Sequence, residues 1–260
     1  MIIGFSLNRL WIKLNSKKLC QSAVSIVCKK PYILRTPFWN YLATSLSHYG
    51  YIAGDYEPQI TSTIKKFSYL FGNGSYFINI WSNIWRYAIW ITVHYWLNTI
   101  AFEPNPETFH NLRINTCLSN LEEKIELFNI WLWDTDWEAS FNTWVNCDWM
   151  AHIIDNNVSL YDDDVLHKWK IIKIPVFKFD DLKIEKEKIN NTRLIIIDVE
   201  GYEYHVLKWM EQSLKEFKNV CIIVEIRGEH KRQMKTIDYL KSLWYKAVAI
   251  DEENWLFTKI

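Results

Sequence analysis

Three short stretches of this 260-residue sequence carry residues whose types and spacing could do chemistry. The first is FINIWSNIWRYAIW at 77–90, where an apolar strand pattern passes through a short polar turn into a helix pattern. The second is Glu103 in the block FEPNP, and the third is the block IDVEG at 197–201. A strand, tight turn and helix can hold a nucleotide-like ligand, because the turn lets the backbone approach the ligand closely.

Glu103 follows the next apolar segment, TIAF. A carboxylate at the end of the second strand can accept hydrogen bonds from both hydroxyls of an adenosine ribose. The same carboxylate could instead cap the helix that begins at Pro106, since negative charge is favourable at a helix N-terminus. The preceding strand, turn and helix favour the ribose role, and capping is the alternative.

Asp198 and Glu200 come directly after the buried-strand pattern LIIID. The carboxyl ends of parallel strands face the ligand crevice, so these two carboxylates could position a hydroxyl, take its proton or hold a cofactor's amino group. They could also cap the following helix. Glu225 ends the next strand. It is followed at the same edge by Arg227, Glu229 and His230, which would line an acceptor site or form a solvated loop.

A parallel sheet with helices on its faces, the doubly wound α/β class, would position these residues. The expected strands are 76–80, 99–103, 125–130, 194–198 and 221–226, and the expected helices are 84–95, 106–119, 203–217 and 231–243. YKAVAI and WLFTKI flank the polar DEEN and predict a C-terminal antiparallel hairpin. The block at about 134–181 is interpreted as a β-rich insertion in a domain spanning 51–260, and residues 1–50 as an N-terminal helical extension.

Composition excludes several function classes. Thirty basic residues balance thirty acidic ones, so binding to a nucleic acid through its phosphates is not expected. The five scattered cysteines form no CxxC pair and no metal-ligand spacing with the histidines, so no metal is expected. Basic residues interrupt the apolar N-terminal segment and no apolar run is long enough to span a membrane, which predicts a cytoplasmic protein.

The chain resembles, from about Tyr56 to Ile260, the FkbM family of S-adenosylmethionine-dependent methyltransferases. Four blocks occur in the family's order: FINIWSNIWRY, IAFEPNPETFHNLRIN, LIIIDVEGYEYHVLKWMEQSLKEF and VCIIVEI. The resemblance implies a class I Rossmann-like fold, S-adenosyl-L-methionine as cofactor, and O-methylation of a sugar, glycan or related hydroxylated small molecule. It implies catalytic roles for Asp198 and Glu200. The cofactor contacts that it implies are Asn79, Trp81, Ser82, Asn83, Trp85, Glu103, Pro104 and Asn105.

The first block departs from the family pattern, which resembles D-[IV]-G-A-N-I-G. Asn79 stands in place of the acidic residue, and Trp81 and Trp85 stand in place of both glycines. Family members often carry lysine where this chain has Ile196, so any role of that lysine is absent here.

Tryptophan and glycine are present in unusual numbers. The chain has 15 tryptophans and 7 glycines, whereas average usage predicts about 18 glycines. Trp96 and Trp244 lie where a helix gives way to a strand, a place for glycine with positive φ. We hypothesise that most tryptophans stand where the source organism reads glycine, with UGA as the codon, since different genetic codes assign it to either residue. A protein that uses its indoles for packing, sugar stacking or a membrane interface is the alternative.

Two other functions compete with methyl transfer. A nicotinamide-dependent dehydrogenase shares this sheet but requires G-x-G-x-x-G after the first strand, a spacing that this turn lacks even with glycine in place of tryptophan. A degenerate, non-catalytic Rossmann-like domain or a Trp-rich carbohydrate-binding module is the second possibility.

Overall fold

The computed structural model describes residues 32–35, 40–43, 57–83, 86–133, 138–144, 147–153, 169–228 and 230–260. The strands are β1 Tyr32–Arg35, β2 Asn40–Ala43, β3 Tyr76–Ile80, β4 Asn98–Phe102, β5 Ile125–Phe128, β6 Trp131–Leu132, β7 Glu138–Trp144, β8 Cys147–Ile153, β9 Trp169–Phe177, β10 Thr192–Ile197, β11 Val220–Glu225, β12 Lys246–Ala249 and β13 Asn254–Lys259. The helices are α1 Pro58–Phe67, α2 Arg86–Tyr95, α3 Pro106–Leu118, α4 Lys186–Asn190, α5 Glu203–Lys208, α6 Glu211–Glu216 and α7 His230–Ser242.

Seven strands form the central sheet, in the order β12-β13-β11-β10-β3-β4-β5. Strands β5, β4, β3, β10 and β11 are parallel to one another, and β13 is antiparallel to both β11 and β12. The chain runs outward from β3 to β5 and then returns to β10 on the other side of β3. The carboxyl ends of β3 and β10 therefore form the topological switch point, where doubly wound sheets bind ligands.

Apolar side chains on both faces of this sheet explain why these segments become strands. All six residues of β11 are buried, as are the last four of β3. Continuous burial of this kind is typical of a parallel strand covered by helices on two sides. One core packs α5, α6 and α7 against the sheet, and the other packs α1 and α2 against the opposite face. The predicted doubly wound α/β class and the C-terminal hairpin are both confirmed.

A second sheet of four strands, in the order β6-β9-β7-β8, lies within and beside the predicted insertion. Strand β7 pairs antiparallel with β8 and β9, and β6 pairs parallel with the end of β9. The interpretation of this block as rich in β-structure is confirmed over the residues described.

Two predictions of helix are corrected. Strands β1 and β2 pair antiparallel within the segment predicted as a helical extension. Pro31 and Pro37 flank β1 and disfavour a helix there, while its aromatic and branched residues favour a strand. The rest of that segment lies outside the described residues.

The single helix predicted over 203–217 is two helices, α5 and α6, separated by Trp209 and Met210. The Asp180 carboxylate accepts hydrogen bonds from the backbone N–H groups of Gln212 and Ser213, at 2.8 and 3.0 Å. This anion satisfies free N–H groups and gives α6 an N-terminus of its own. No helix within the described ranges is long and apolar enough to cross a membrane.

Candidate functional site

The turn after β3 is held against the end of β4 by backbone hydrogen bonds. Trp81 and Asn83 have φ values of 64° and 51°, in the left-handed region. The Ser82 N–H donates to the Phe102 carbonyl at 2.8 Å, and the Ser82 hydroxyl donates to the Asn79 carbonyl at 3.1 Å. The predicted strand, turn and helix are thus present, although Trp85 lies outside the described residues.

Glu103 ties this turn to the start of α3. One of its carboxylate oxygens accepts the Asn83 N–H at 2.8 Å and the other accepts the Asn105 N–H at 2.9 Å. The N-cap of α3 is Asn105, whose side-chain oxygen accepts the Glu107 N–H at 3.0 Å. Capping, which the sequence left open for Glu103, is therefore carried out by Asn105. Glu103 is 0% exposed, and it organises the turn by accepting two amides at once.

The main-chain carbonyls of Glu103 and Pro104 are fixed by a third element. The Asn129 side-chain amide donates to both of them, at 2.8 and 3.1 Å. Asn129 follows β5, so the ends of three neighbouring strands are joined by hydrogen bonds around this point. Asn79, on β3, is 1% exposed, and its Oδ1 atom lacks a hydrogen-bond partner among the described residues.

Two indoles fill the crevice that these strand ends enclose. Trp81 and Trp131 pack edge to face, with ring centroids 5.1 Å apart and an interplanar angle of 86°. Trp81 is 8% exposed and Trp131 is 2% exposed. Together with Phe102, Pro104 and Val199 they close against one another and leave no room for a water molecule between them.

Among the described residues, the space that Trp81 and Trp131 line is too small for a nucleoside. Small-molecule sites usually enclose about 300–1,000 Å³, and the space between Trp81 and Trp131 is filled. Glu103, which the resemblance assigns to the ribose, lies beside this space, and its two carboxylate oxygens accept the backbone amides of Asn83 and Asn105. Trp131 was missed by reasoning from sequence, because it lies outside the four blocks that carry the family resemblance.

An acidic cluster lies beside this crevice, at the carboxyl ends of β10 and β11. Ile197 pairs with Val224, so the next residues, Asp198 and Glu225, stand abreast on adjacent parallel strands. Arg227 lies between two carboxylates: Nη1 is 2.7 Å from Glu200 Oε2, and Nη2 is 2.9 Å from Glu225 Oε1. The Asp198 N–H donates to the Ile80 carbonyl at 3.4 Å, which connects the cluster to the end of β3.

Asp198 and Glu225 form a buried carboxyl pair in which the pKa of each group is raised. Burial, followed by the negative charge of Asp198, raises the pKa of Glu225 to about 10. Burial is also the main cause that raises the pKa of Asp198 to about 7. Asp198 Oδ1 and Glu225 Oε2 are buried and, among the described residues, have no donor. A proton on one carboxyl supplies a hydrogen bond to the other, as in other carboxylate pairs.

The turn that carries Glu200 has an unusual backbone. Glu200 has φ of 50° and Gly201 has φ of 95°. The Gly201 N–H donates at 2.7 Å to the carboxylate of Glu203, which is 1% exposed. Burial raises the pKa of Glu203 to about 7. Left-handed residues other than glycine cluster at functional sites, where surrounding contacts impose the strain.

The structure therefore brings the predicted carboxylates and the predicted turn to one edge of the sheet. Glu203 was missed, although its position three residues after Glu200 at a helix start is a signal for a carboxylate that binds turn amides. His230 is exposed at the first position of α7. In the described part of the chain, no three potential ligands are grouped so that they could hold a metal ion.

Several solved structures are similar to this chain at low sequence identity. A putative rRNA-methylase from Clostridium thermocellum has 9% identity and a TM-score of 0.49, over 78% of this chain and 96% of that one. The METTL16 MTase domain has 14% identity and a TM-score of 0.47, over 78% and 68%. M. jannaschii TYW2, solved in complex with AdoMet, has 12% identity and a TM-score of 0.43, over 89% and 87%.

Comparison with the curated proteins finds no match. Comparison with known families matches residues 71–247, well over half of the chain, to the methyltransferase FkbM domain. The match covers the turn after β3, Glu103 and the acidic cluster, and the seven-stranded sheet agrees with the class I Rossmann-like fold that the sequence blocks implied. The chain belongs to the FkbM methyltransferase family.

Proposed function

We propose that this protein, with glycine at position 81, transfers a methyl group from S-adenosylmethionine to a hydroxyl oxygen of a sugar, glycan or related hydroxylated small molecule. The observation that carries the proposal is the carboxyl pair of Asp198 and Glu225 at the switch-point edge of the sheet. The family match supports the methyl-transfer chemistry. The choice of a hydroxylated acceptor follows from the resemblance to the FkbM family and from the chemistry of the acidic cluster.

Methylation of a hydroxyl oxygen replaces its proton with a methyl group, so a nearby base must accept that proton. A general base works best when its pKa lies near the operating pH. Burial raises the pKa of Asp198 to about 7, and this residue is partly exposed at the edge of the sheet. We assign Asp198 as the group that takes the proton.

Glu225 and Glu200 serve this base in different ways. Glu225 keeps its own proton, because burial and the neighbouring charge raise its pKa to about 10, and it donates a hydrogen bond to the ionised Asp198. Glu200 binds Arg227 at 2.7 Å, so its role is to position the guanidinium rather than to take a proton. These roles divide between Asp198 and Glu200 the catalytic functions that the resemblance implies for both.

The negative charge of the acidic cluster favours a neutral acceptor over an anionic one. Four carboxyl groups surround the guanidinium of Arg227. It lies within 3.5 Å of Glu200, Glu225 and Glu253, and the charge of Asp198 also acts on it. With Glu225 protonated, the cluster remains negative, and it repels a phosphate or carboxylate placed next to the reacting atom. A neutral hydroxylated group meets no such repulsion.

A second function has one observation in its favour. The filled crevice between Trp81 and Trp131 favours a non-catalytic Rossmann-like domain, or a Trp-rich carbohydrate-binding module, for the chain with these indoles in place. Such a protein would bind a glycan without any dependence on S-adenosylmethionine.

The test measures the release of S-adenosylhomocysteine with a panel of neutral and anionic sugars, in the unsubstituted chain and in Trp81→Gly. We expect turnover with neutral acceptors in Trp81→Gly, and a loss of about a hundredfold or more when Asp198→Asn is added. The control is Glu126→Gln, an exposed carboxylate paired with Lys188 at 2.9 Å. Equal rates with and without Asp198→Asn would contradict the assignment. Sugar binding with no turnover in either background would favour the non-catalytic function.

A further inference from the structure

Three tryptophans adopt a backbone conformation that favours glycine. Trp81, Trp96 and Trp244 have φ of 64°, 54° and 70°. A bulky side chain in the left-handed region is strained, because its Cβ approaches the neighbouring carbonyl oxygen. Among the described residues, five other residues besides glycine have a positive φ. They are three asparagines and two glutamates: Asn83, Asn120, Asn219, Glu57 and Glu200. Asparagine tolerates this region well, and tryptophan does not.

The end of α7 shows this conflict most clearly. The Tyr245 N–H bonds to the Leu240 carbonyl at 3.2 Å and the Trp244 N–H bonds to the Lys241 carbonyl at 3.0 Å. These two bonds define a Schellman motif in which Trp244 occupies the C′ position, usually a glycine. The indole of Trp244 is 87% exposed, so packing does not compensate for the strain.

The end of α3 has the same motif with a tolerated residue. The Leu121 N–H bonds to the Thr116 carbonyl at 3.1 Å, and the Asn120 N–H bonds to the Cys117 carbonyl at 3.0 Å. Asn120, with φ of 54°, takes the position that Trp244 takes in α7. One fold therefore contains both a compatible and an incompatible residue at an equivalent backbone position.

Trp96 and Trp81 differ from Trp244 in their surroundings. Trp96 is 59% exposed, and Lys124 Nζ lies 4.9 Å from its ring centroid. Trp81 is buried against Trp131 in the crevice at the carboxyl ends of the strands. Its strain is the same in kind, but removing its indole would empty a space where ligands bind in doubly wound sheets.

We propose that this fold is built for glycine at positions 81, 96 and 244, and that the indole at position 81 closes the crevice beside Glu103 that the family resemblance assigns to the cofactor. The low count of 7 glycines against 15 tryptophans agrees with this proposal. It requires that the source organism reads the three codons as glycine, with UGA as the expected codon. The identity of the nucleoside, S-adenosylmethionine, rests on the proposed function; the backbone argument does not.

The first test compares melting temperatures. Trp244→Gly is expected to raise the melting temperature by about 2–4 °C, because it relieves strain and removes no packing. Trp96→Gly is expected to raise it less, since the contact with Lys124 is lost. The matched control is Trp209→Gly, at a helix C-cap with φ of −92°, which relieves no strain and is expected to lower the melting temperature. A fall in Trp244→Gly as large as that in Trp209→Gly would overturn the proposal.

The second test adds S-adenosylmethionine to Trp81→Gly and to the unsubstituted chain. Trp81→Gly is expected to melt at a lower temperature without ligand, because a buried indole is lost, and to recover on addition of the ligand. The unsubstituted chain is expected to show no shift. Equal shifts in both proteins would refute the closed crevice and leave the proposed function standing. No shift in either, with Trp244→Gly stabilised, would refute the cofactor and leave the glycine assignment standing.

The third test does not depend on any variant folding. Peptides from the protein purified from its source organism are analysed by mass spectrometry. We expect peptide masses that correspond to glycine at positions 81, 96 and 244. Tryptophan masses at these positions would overturn the proposal whatever the melting temperatures show.

Discussion

Arg227 binds the carboxylates of the acidic cluster, and its removal is expected to destabilise the fold. It lies 2.7 Å from Glu200, 2.9 Å from Glu225 and 3.5 Å from Glu253. The side chains of Glu200 and Glu225 are 8% exposed, while that of Glu253 is 52% exposed. Exposed ion pairs contribute little to stability, so the effect depends mainly on the buried carboxylate of Glu200, since Glu225 holds a proton.

Removing one partner of a buried ion pair costs about 3–5 kcal/mol, because the other charge stays buried without compensation. The Arg227 side chain is 31% exposed, so water partly screens the cluster and the expected loss for Arg227→Gln is about 2–4 kcal/mol. A loss of this size lowers the melting temperature by roughly 5–15 °C. The pKa of Asp198 is raised to about 7, so its protonation removes one negative charge from the cluster, and the loss is expected to be smaller at pH 5 than at pH 8.

Urea unfolding at the two pH values measures this effect. The control is Lys215→Gln, which removes an exposed pair with Glu211 at 2.6 Å and is expected to cost less than about 1 kcal/mol. Adding Glu200→Gln to Arg227→Gln is expected to recover part of the loss, because the buried negative charge is removed as well. A loss no larger than the control, or no recovery in the double variant, would refute the reasoning.

The remaining predictions concern three other carboxylates. Glu103→Ala leaves two amides without their acceptor and is expected to cost at least about 2 kcal/mol in urea unfolding; an unchanged midpoint would contradict it. The pKa of Glu203 is raised to about 7 in the folded protein. The free energy of unfolding therefore falls as pH rises from the lower pKa of the unfolded chain towards 7. Glu203→Gln should remove this fall, which amounts to up to about 3 kcal/mol. Asp180→Asn should lower stability by about 1–2 kcal/mol and reduce helical circular dichroism as α6 frays.

The sequence predicted most of the fold because its strands are continuous apolar runs. The runs Leu194–Ile197 and Val220–Val224 can be buried on both faces only in a parallel sheet covered by helices. The helix over 203–217 was wrong because its break depends on Asp180, a residue distant in sequence whose carboxylate binds the amides of Gln212 and Ser213. Periodicity alone carries no information about such a contact.

The candidate site was predictable in its backbone and less so in its side chains. The expectation of positive φ at Trp96 and Trp244 came from their position between a helix and a strand, and the structure has this conformation at both. The choice between two roles for Glu103 required the geometry, since only the structure shows that Asn105 caps α3. The pairing of Asp198 with Glu225 depends on strand register, which the sequence of either strand does not specify.

The most direct test of the central claim is a calorimetric titration of S-adenosylmethionine, with NAD as the comparison ligand, into the unsubstituted chain and into Trp81→Gly. Glycine at position 81 removes the indole that packs 5.1 Å from Trp131 and fills the crevice. The expected result is binding of S-adenosylmethionine to Trp81→Gly, no binding to the unsubstituted chain, and no competition by NAD. Heat of binding for NAD and none for S-adenosylmethionine in Trp81→Gly would contradict the account.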